Sequence, residues 1–243
     1  MKKFIILGLL LSFAACKPQS TVPPDEAPNH KDFSYARLRE EMVQTQIEAR
    51  GVKDARVLAA MRKVPRHLFI PPIYREHAYG DHPVSIGEDQ TISQPYIVAL
   101  MTELMELKGG EVVLEVGTGS GYQAAILAEI AKEVYTIEII KSLGKSAETR
   151  LKQMGYSNIH VRIGDGYKGW PEVAPFDAIV VTAAPPSVPP PLIAQLKAGG
   201  RLVIPVGDFF QVLKVIVKTK TGSSERDVIP VRFVPMTGEV QKK

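Results

Sequence analysis

The chain predicts an α/β fold: a doubly wound, mostly parallel sheet, preceded by helices and closed by a C-terminal antiparallel hairpin. Three observations predict it. Between residues 111 and 206, five short β-branched runs alternate with helical patterns. A glycine-rich loop joins the first run to the helix after it, and two later strand-like runs flank a Thr-Gly-Ser-Ser turn at 221–224. Alternation of this kind builds parallel strands joined by right-handed crossovers.

The elements follow in order. Residues 1–15 hold Lys2, Lys3 and a 12-residue apolar run from Phe4 to Ala15, with Ala14-Ala15 directly before Cys16. A basic start, a short apolar core and small residues at the cut site form an export signal, so this segment is expected outside the fold. Residues 16–32 contain four prolines and almost no apolar bulk; such a stretch cannot bury enough surface to order itself and reads as a tether. A single domain is expected over 33–243, with helices and a loop over 33–108 and the sheet over 109–243.

From Tyr35 to Arg50, Leu38, Met42, Val43 and Ile47 keep helical spacing, and Gly51 stands where a C-cap would. Asp54 caps a second predicted helix that carries Val57, Leu58 and Met61 and stops before Pro65. Residues 65–95 are rich in Pro, Gly and His with little periodicity, and read as a long connection that is either functional or disordered. A third helix is expected over 94–107. Strands are expected at 111–116, 134–139, 158–163, 176–182 and 200–206, with helices at 122–132, 141–154 and 188–197 between them; 211–218 and 227–234 form the hairpin.

Composition narrows the function. The chain has 243 residues, 45% of them hydrophobic, and a formal charge of +4, an ordinary globular balance with too little charge to argue for nucleic acid. One cysteine excludes a disulfide framework and a Cys-rich zinc module. No run approaches the roughly 20 apolar residues that span a bilayer. The five histidines form no short ligand pair, so no metal is expected.

The chemistry concentrates at Glu115-Val116-Gly117-Thr118-Gly119-Ser120-Gly121, where the first strand meets its helix. Glycines there let the backbone turn sharply and approach a ligand, and N–H groups at the helix start favour a polar or anionic moiety. Glu138 ends the second strand, where a carboxylate can accept hydrogen bonds from ribose hydroxyls. A nucleoside-bearing ligand at the carboxyl edge of the sheet follows. A dinucleotide fingerprint would require its third glycine at 122, but Tyr122 stands there, which argues against a nicotinamide-dependent oxidoreductase. Thr118 and Tyr122 stand two places either side of Ser120, where a hydrolase nucleophile elbow has its glycines.

The E-x-G-x-G-x-G spacing, the acidic end of the second strand and Gly164-Asp165-Gly166 after the third resemble class I S-adenosylmethionine-dependent methyltransferases. That resemblance implies that Glu115, Gly117, Thr118, Gly119 and Gly121 face the methionine end of S-adenosylmethionine, Glu138 the ribose, and Asp165 with Gly166 the adenine. Gly87-Glu88-Asp89-Gln90-Thr91-Ile92-Ser93-Gln94-Pro95-Tyr96, followed by VLEVGTGSGYQAAILA, APFDAIVVTAAP, GGRLVIPVG and RFVP, is similar to the protein-L-isoaspartate (D-aspartate) O-methyltransferases over roughly 42–236. The family implies methyl transfer to the free α-carboxylate of isoaspartyl or D-aspartyl residues in damaged proteins; a monomer is expected. A carboxylate acceptor is ionised at pH 7 and needs no general base; hydroxyls can orient it without neutralising it. Ser93 and Thr91 are the expected catalytic residues, although Ser93 also stands where an N-cap would.

Two departures from the family pattern fall in this loop: Ser85 in place of Pro, and Asp89 in place of Gly. Asp89 is expected to restrict the loop and to bring negative charge toward the acceptor. The Ala-Ala-Cys ending resembles a bacterial lipobox and implies acylation of Cys16, hence an exported, periplasmic or membrane-anchored protein; the family's usual place is the cytoplasm. An anchored binding protein that keeps a nucleoside pocket without turnover is the alternative function.

Overall fold

The computed structural model describes Met1 and residues 30–242. The expected signal segment, the lipid site at Cys16 and most of the tether lie outside the described residues. Helix α1 (His30–Met42) opens inside the span expected as tether, then loosens through a π-turn at Val43–Ile47 and tightens through a 3-10 turn at Glu48–Arg50. Gly51 closes it at φ 96°, a left-handed cap that a side chain would strain. Asp54 accepts from the Arg56 N–H and caps α2 (Ala55–Lys63), whose Val57, Leu58 and Met61 are buried as the spacing requires.

Residues 65–95 are more ordered than expected. Two 3-10 turns, Arg66–Phe69 and Pro72–His77, lead into an antiparallel hairpin of β1 (Val84–Gly87) and β2 (Gln90–Ile92). Its two-residue turn is Glu88-Asp89, both at positive φ (53° and 54°). That is the backbone of a type I′ hairpin, which Asn-Gly or Asp-Gly normally announces; acidic residues there hide the signal. Helix α3 (Pro95–Leu104) follows, with Gln94 at its N-cap and Pro95 in its first turn. Ser93 therefore does not cap α3.

The sheet has the order β5-β4-β3-β6-β7-β8-β9. Its parallel members are β3 (Val112–Val116), β4 (Glu133–Glu138), β5 (Ile159–Ile163), β6 (Phe176–Val181) and β7 (Leu196–Val206). Between them run α4 (Tyr122–Ala128), α5 (Lys141–Gln153) and the short α6 (Pro190–Ala194). Alternate residues supply the two buried faces: Val113, Val134, Ala178 and Val203 join the core shared with α2, α3 and α4, while Leu114, Ile137, Ile179 and Leu202 pack on the opposite side. Strand β8 (Gln211–Lys218) and β9 (Ser223–Val231) form the antiparallel closure.

Strand β9 starts and ends earlier than expected. After Val231 the chain leaves the sheet edge, and the Ala184 N–H donates to the Val234 carbonyl while the Met236 N–H donates to the Ala184 carbonyl. The RFVP segment is thereby carried to the end of β6. Because β4 and β6 lie on either side of β3, the chain reverses its winding there, the place where open α/β sheets bind ligands.

Candidate active site

A cavity of about 260 Å³ opens at the carboxyl ends of β3, β4 and β6. Its wall contains Thr91, Ser93, Glu115, Gly117, Thr118, Gly119, Glu138 and Gly166, which the sequence singled out, together with Thr182, Ala183 and the segment from Val234 to Thr237. No Lys, Arg or His is among the lining residues.

The glycine loop is held from within. Gly117, Gly119 and Gly121 have φ of 101°, 52° and 86°. A Cβ on Gly117 would meet Thr182 Oγ1 at 2.3 Å, and that hydroxyl donates to the Gly117 carbonyl at 2.7 Å. Gly121 lies outside the lining; it turns the chain into α4 against Leu151 and Ala147. The N–H groups expected to await an anion are already engaged. Those of Gly117 and Thr118 donate to the Ile137 carbonyl, that of Gly121 to the Thr118 carbonyl, and that of Gly119 to Glu138 Oε2 at 2.7 Å. This loop is therefore not a phosphate cradle.

Glu138 also accepts from the Ile140 N–H at 2.9 Å, so its carboxylate ties the end of β4 to the glycine loop while each oxygen keeps a lone pair for a ligand. Glu115 is fully buried. Its Oε2 accepts from Thr136 Oγ1 at 2.6 Å, and that hydroxyl lies 2.6 Å from Thr118 Oγ1. Its Oε1 has no hydrogen-bond partner. Burial pushes the Glu115 pKa up to about 8, with the Thr136 hydrogen bond opposing the rise and the charge of Glu138 adding to it. Thr136 was missed from sequence, although parallel pairing of β3 and β4 puts it beside Glu115.

The hairpin forms the facing wall. Ser93 is half-buried and Thr91 exposed, both against the cavity. The hairpin reaches the glycine loop through Ile86, whose Cδ1 would lie 3.5 Å from a Cβ on Gly119, and reaches α5 through Glu88, which accepts from Ser142 Oγ at 2.7 Å. Asp89 sits at the exposed tip, away from the cavity lining, so its charge is not brought to the acceptor wall.

Asp165 is placed differently from the other predicted residues. It is not part of the lining: Oδ1 accepts from the Tyr167 N–H at 3.0 Å and Oδ2 from the Glu239 N–H at 2.8 Å. It thus anchors the C-terminal segment that brings Met236 and Thr237 to the cavity. Gly166 does line it, and a Cβ there would meet Val116 Cγ1 at 2.3 Å.

S-adenosylmethionine fits these residues. Two acidic side chains, one with an orphaned buried oxygen, suit a ligand bearing ammonium and sulfonium charge, and the lack of lining cations disfavours a pyrophosphate. Glu115 and the glycine loop would hold the methionine end, Glu138 the ribose, and Gly166 with the 234–237 segment the base.

The sequence profile of protein-L-isoaspartate(D-aspartate) O-methyltransferase (PCMT) matches residues 37–241. Protein-L-isoaspartate O-methyltransferase 2 of Shewanella sediminis is 57% identical over 217 residues, covering 88% of this chain and 89% of that one. The protein-L-isoaspartate O-methyltransferase of Gloeobacter violaceus is 56% identical over 200 residues, covering 82% and 98%. Among solved structures, a putative protein-L-isoaspartate O-methyltransferase of Plasmodium falciparum in complex with S-adenosyl-L-homocysteine superposes with a TM-score of 0.71 at 28% identity, covering 82% of this chain and 98% of that one. A fold, a cavity wall and a sequence that agree to this extent place the chain in the protein-L-isoaspartate(D-aspartate) O-methyltransferase family.

Proposed function

We propose that the protein methylates the free α-carboxylate of isoaspartyl or D-aspartyl residues in damaged proteins, the step that starts their return to aspartate through a succinimide. The observation that carries this reading is the two-sided cavity: acidic groups and glycines on the sheet edge, two hydroxyls on the hairpin, and no basic residue between them.

S-adenosylmethionine, when bound, supplies a methyl group on a positively charged sulfur, open to in-line attack. Glu115 and Glu138 balance that charge from below. Ser93 and Thr91 donate hydrogen bonds to the incoming carboxylate and aim one oxygen into the cavity, leaving its lone pair free. No side chain has to remove a proton, because the acceptor is already an anion. The apolar side chains of Ile137 and Met236, both buried in the cavity wall, limit the water that can compete. Incubation with S-adenosylmethionine and a matched pair of peptides tests the reading: a base-labile methyl ester is expected on the isoaspartyl peptide and not on its aspartyl isomer. Cofactor binding without ester would favour the pocket-only alternative.

The N-terminal 16 residues support a second, separable proposal: export, cleavage before Cys16 and acylation of its sulfur, which would put a repair enzyme at the membrane. The intact mass of native protein decides it. Loss of residues 1–15 with a lipid-sized addition is expected, and retention of Met1 to Ala15 would overturn it.

A further inference from the structure

Four residues, Gly207-Asp208-Phe209-Phe210, connect β7 to β8. Phe209 is 100% exposed and Phe210 93%, more than any other large apolar side chain among residues 34–241. Scattered single exposed apolar residues are ordinary; two adjacent phenyl groups in full solvent call for a covering partner.

The loop that carries them is fixed at its base. The Gly207 N–H donates to the Pro185 carbonyl at 2.9 Å, and Gly207 has φ 125° with Phe210 O only 2.1 Å from where a Cβ would stand. Gln211 is buried: its Nε2 donates to the Asp208 and Phe233 carbonyls, and its Oε1 accepts from the Phe233 N–H at 2.6 Å. Both anchor points run directly into the cavity. Pro185 lies two residues after Ala183, and Phe233 immediately precedes Val234; Ala183 and Val234 line it. The loop also leaves the carboxyl end of β7, the edge from which the glycine loop and Glu138 face the ligand.

We infer that Phe209 and Phe210 are a docking point for the polypeptide substrate, contacting apolar side chains that flank the isoaspartyl residue while Ser93 and Thr91 hold its carboxylate. The inference rests on the proposed function and specifies how the substrate chain is chosen. A polypeptide acceptor must cross this edge to present its carboxylate, and aromatic faces on a rigid base contact many apolar sequences with little ordering cost. Damaged, loosened segments are the chains that expose such side chains.

The test uses the full chain with Phe209→Ser and Phe210→Ser combined, a surface change that leaves the cavity intact. Two isoaspartyl peptides are compared, one with Leu and Phe flanking the damaged residue and one with Ser and Gly. The wild type is expected to show a lower KM for the apolar peptide. The double variant is expected to raise that KM about tenfold, with kcat, cofactor affinity and the KM of the polar peptide unchanged. Equal KM values for the two peptides in the wild type, or a preference that survives in the variant, would overturn the inference while leaving the methyltransferase reading intact. Methylation of neither peptide by the wild type would overturn both. Loss of binding to phosphatidylglycerol vesicles in the variant, with peptide KM unchanged, would assign the pair to a membrane surface instead and overturn it as well.

Discussion

The two walls of the cavity are built on opposite principles. On the sheet edge, Gly117, Gly119 and Glu138 are over-determined: nearly every backbone donor has an internal partner, and Gly117, Gly119 and Gly166 tolerate no Cβ without displacing a neighbour or straining the backbone. On the hairpin edge, Thr91 lies in β2 and Ser93 just after it, in a hairpin whose turn carries two strained acidic residues and whose tie to α5 is one side-chain hydrogen bond. The cofactor side is a rigid mould, and the acceptor side is a light arm laid across it. Substitutions in the mould should therefore destroy cofactor binding, and substitutions in the arm should change acceptor handling alone.

The largest effect is expected at Gly117. Alanine there collides with Thr182 Oγ1 and must hold φ near 101°, a combined cost of about 3 kcal/mol. Cofactor affinity measured by calorimetry should fall about a hundredfold; an unchanged value would show the mould to be soft. Next comes Ser93→Ala on the arm, which removes one hydrogen bond to a charged acceptor worth about 1.5–3 kcal/mol. Peptide kcat/KM should drop by roughly ten- to a hundredfold while cofactor affinity holds, and a loss of cofactor affinity would erase the distinction between the walls.

Glu115→Gln separates charge from shape. With its pKa near 8, Glu115 is mostly protonated at pH 7 in the free protein, and a cationic ligand favours its carboxylate. Cofactor affinity should therefore rise with pH from about 6 toward 8 in the wild type and lose that slope in the variant. The stability sign is opposite. A carboxyl whose folded pKa is raised stabilises the free protein at low pH, and that contribution is lost as pH climbs from the ordinary Glu value through 8. Thermal melts of the unliganded wild type should fall across this window more steeply than those of Glu115→Gln. The smallest effect belongs to the tip of the arm: Asp89→Gly relieves a positive φ and should add about 1 kcal/mol of stability with activity unchanged, measurable by chemical denaturation.

The same division governs what the sequence revealed. The sheet, the glycine loop and Glu138 were legible because buried parallel strands and tight turns impose residue types at fixed spacing. The arm was legible as a motif but not as a structure, since Glu88-Asp89 is not the usual pair for a type I′ turn. The engaged state of the loop N–H groups was invisible, because the Ile137 carbonyl and Glu138 reach them only through strand pairing. The structural part of Asp165 was hidden for a related reason: its two oxygens accept from the Tyr167 and Glu239 N–H groups, the second a contact 74 residues away in the chain.

Two acidic groups, with no basic residue among the cavity's lining, select a cationic nucleoside cofactor. Calorimetric titration of the wild type at pH 7, repeated in two buffers of different ionisation enthalpy, tests it most directly. S-adenosylmethionine should bind with release of close to one proton, and a nicotinamide dinucleotide should not bind. Binding of the dinucleotide with comparable affinity, or S-adenosylmethionine binding with no proton released, would contradict the account.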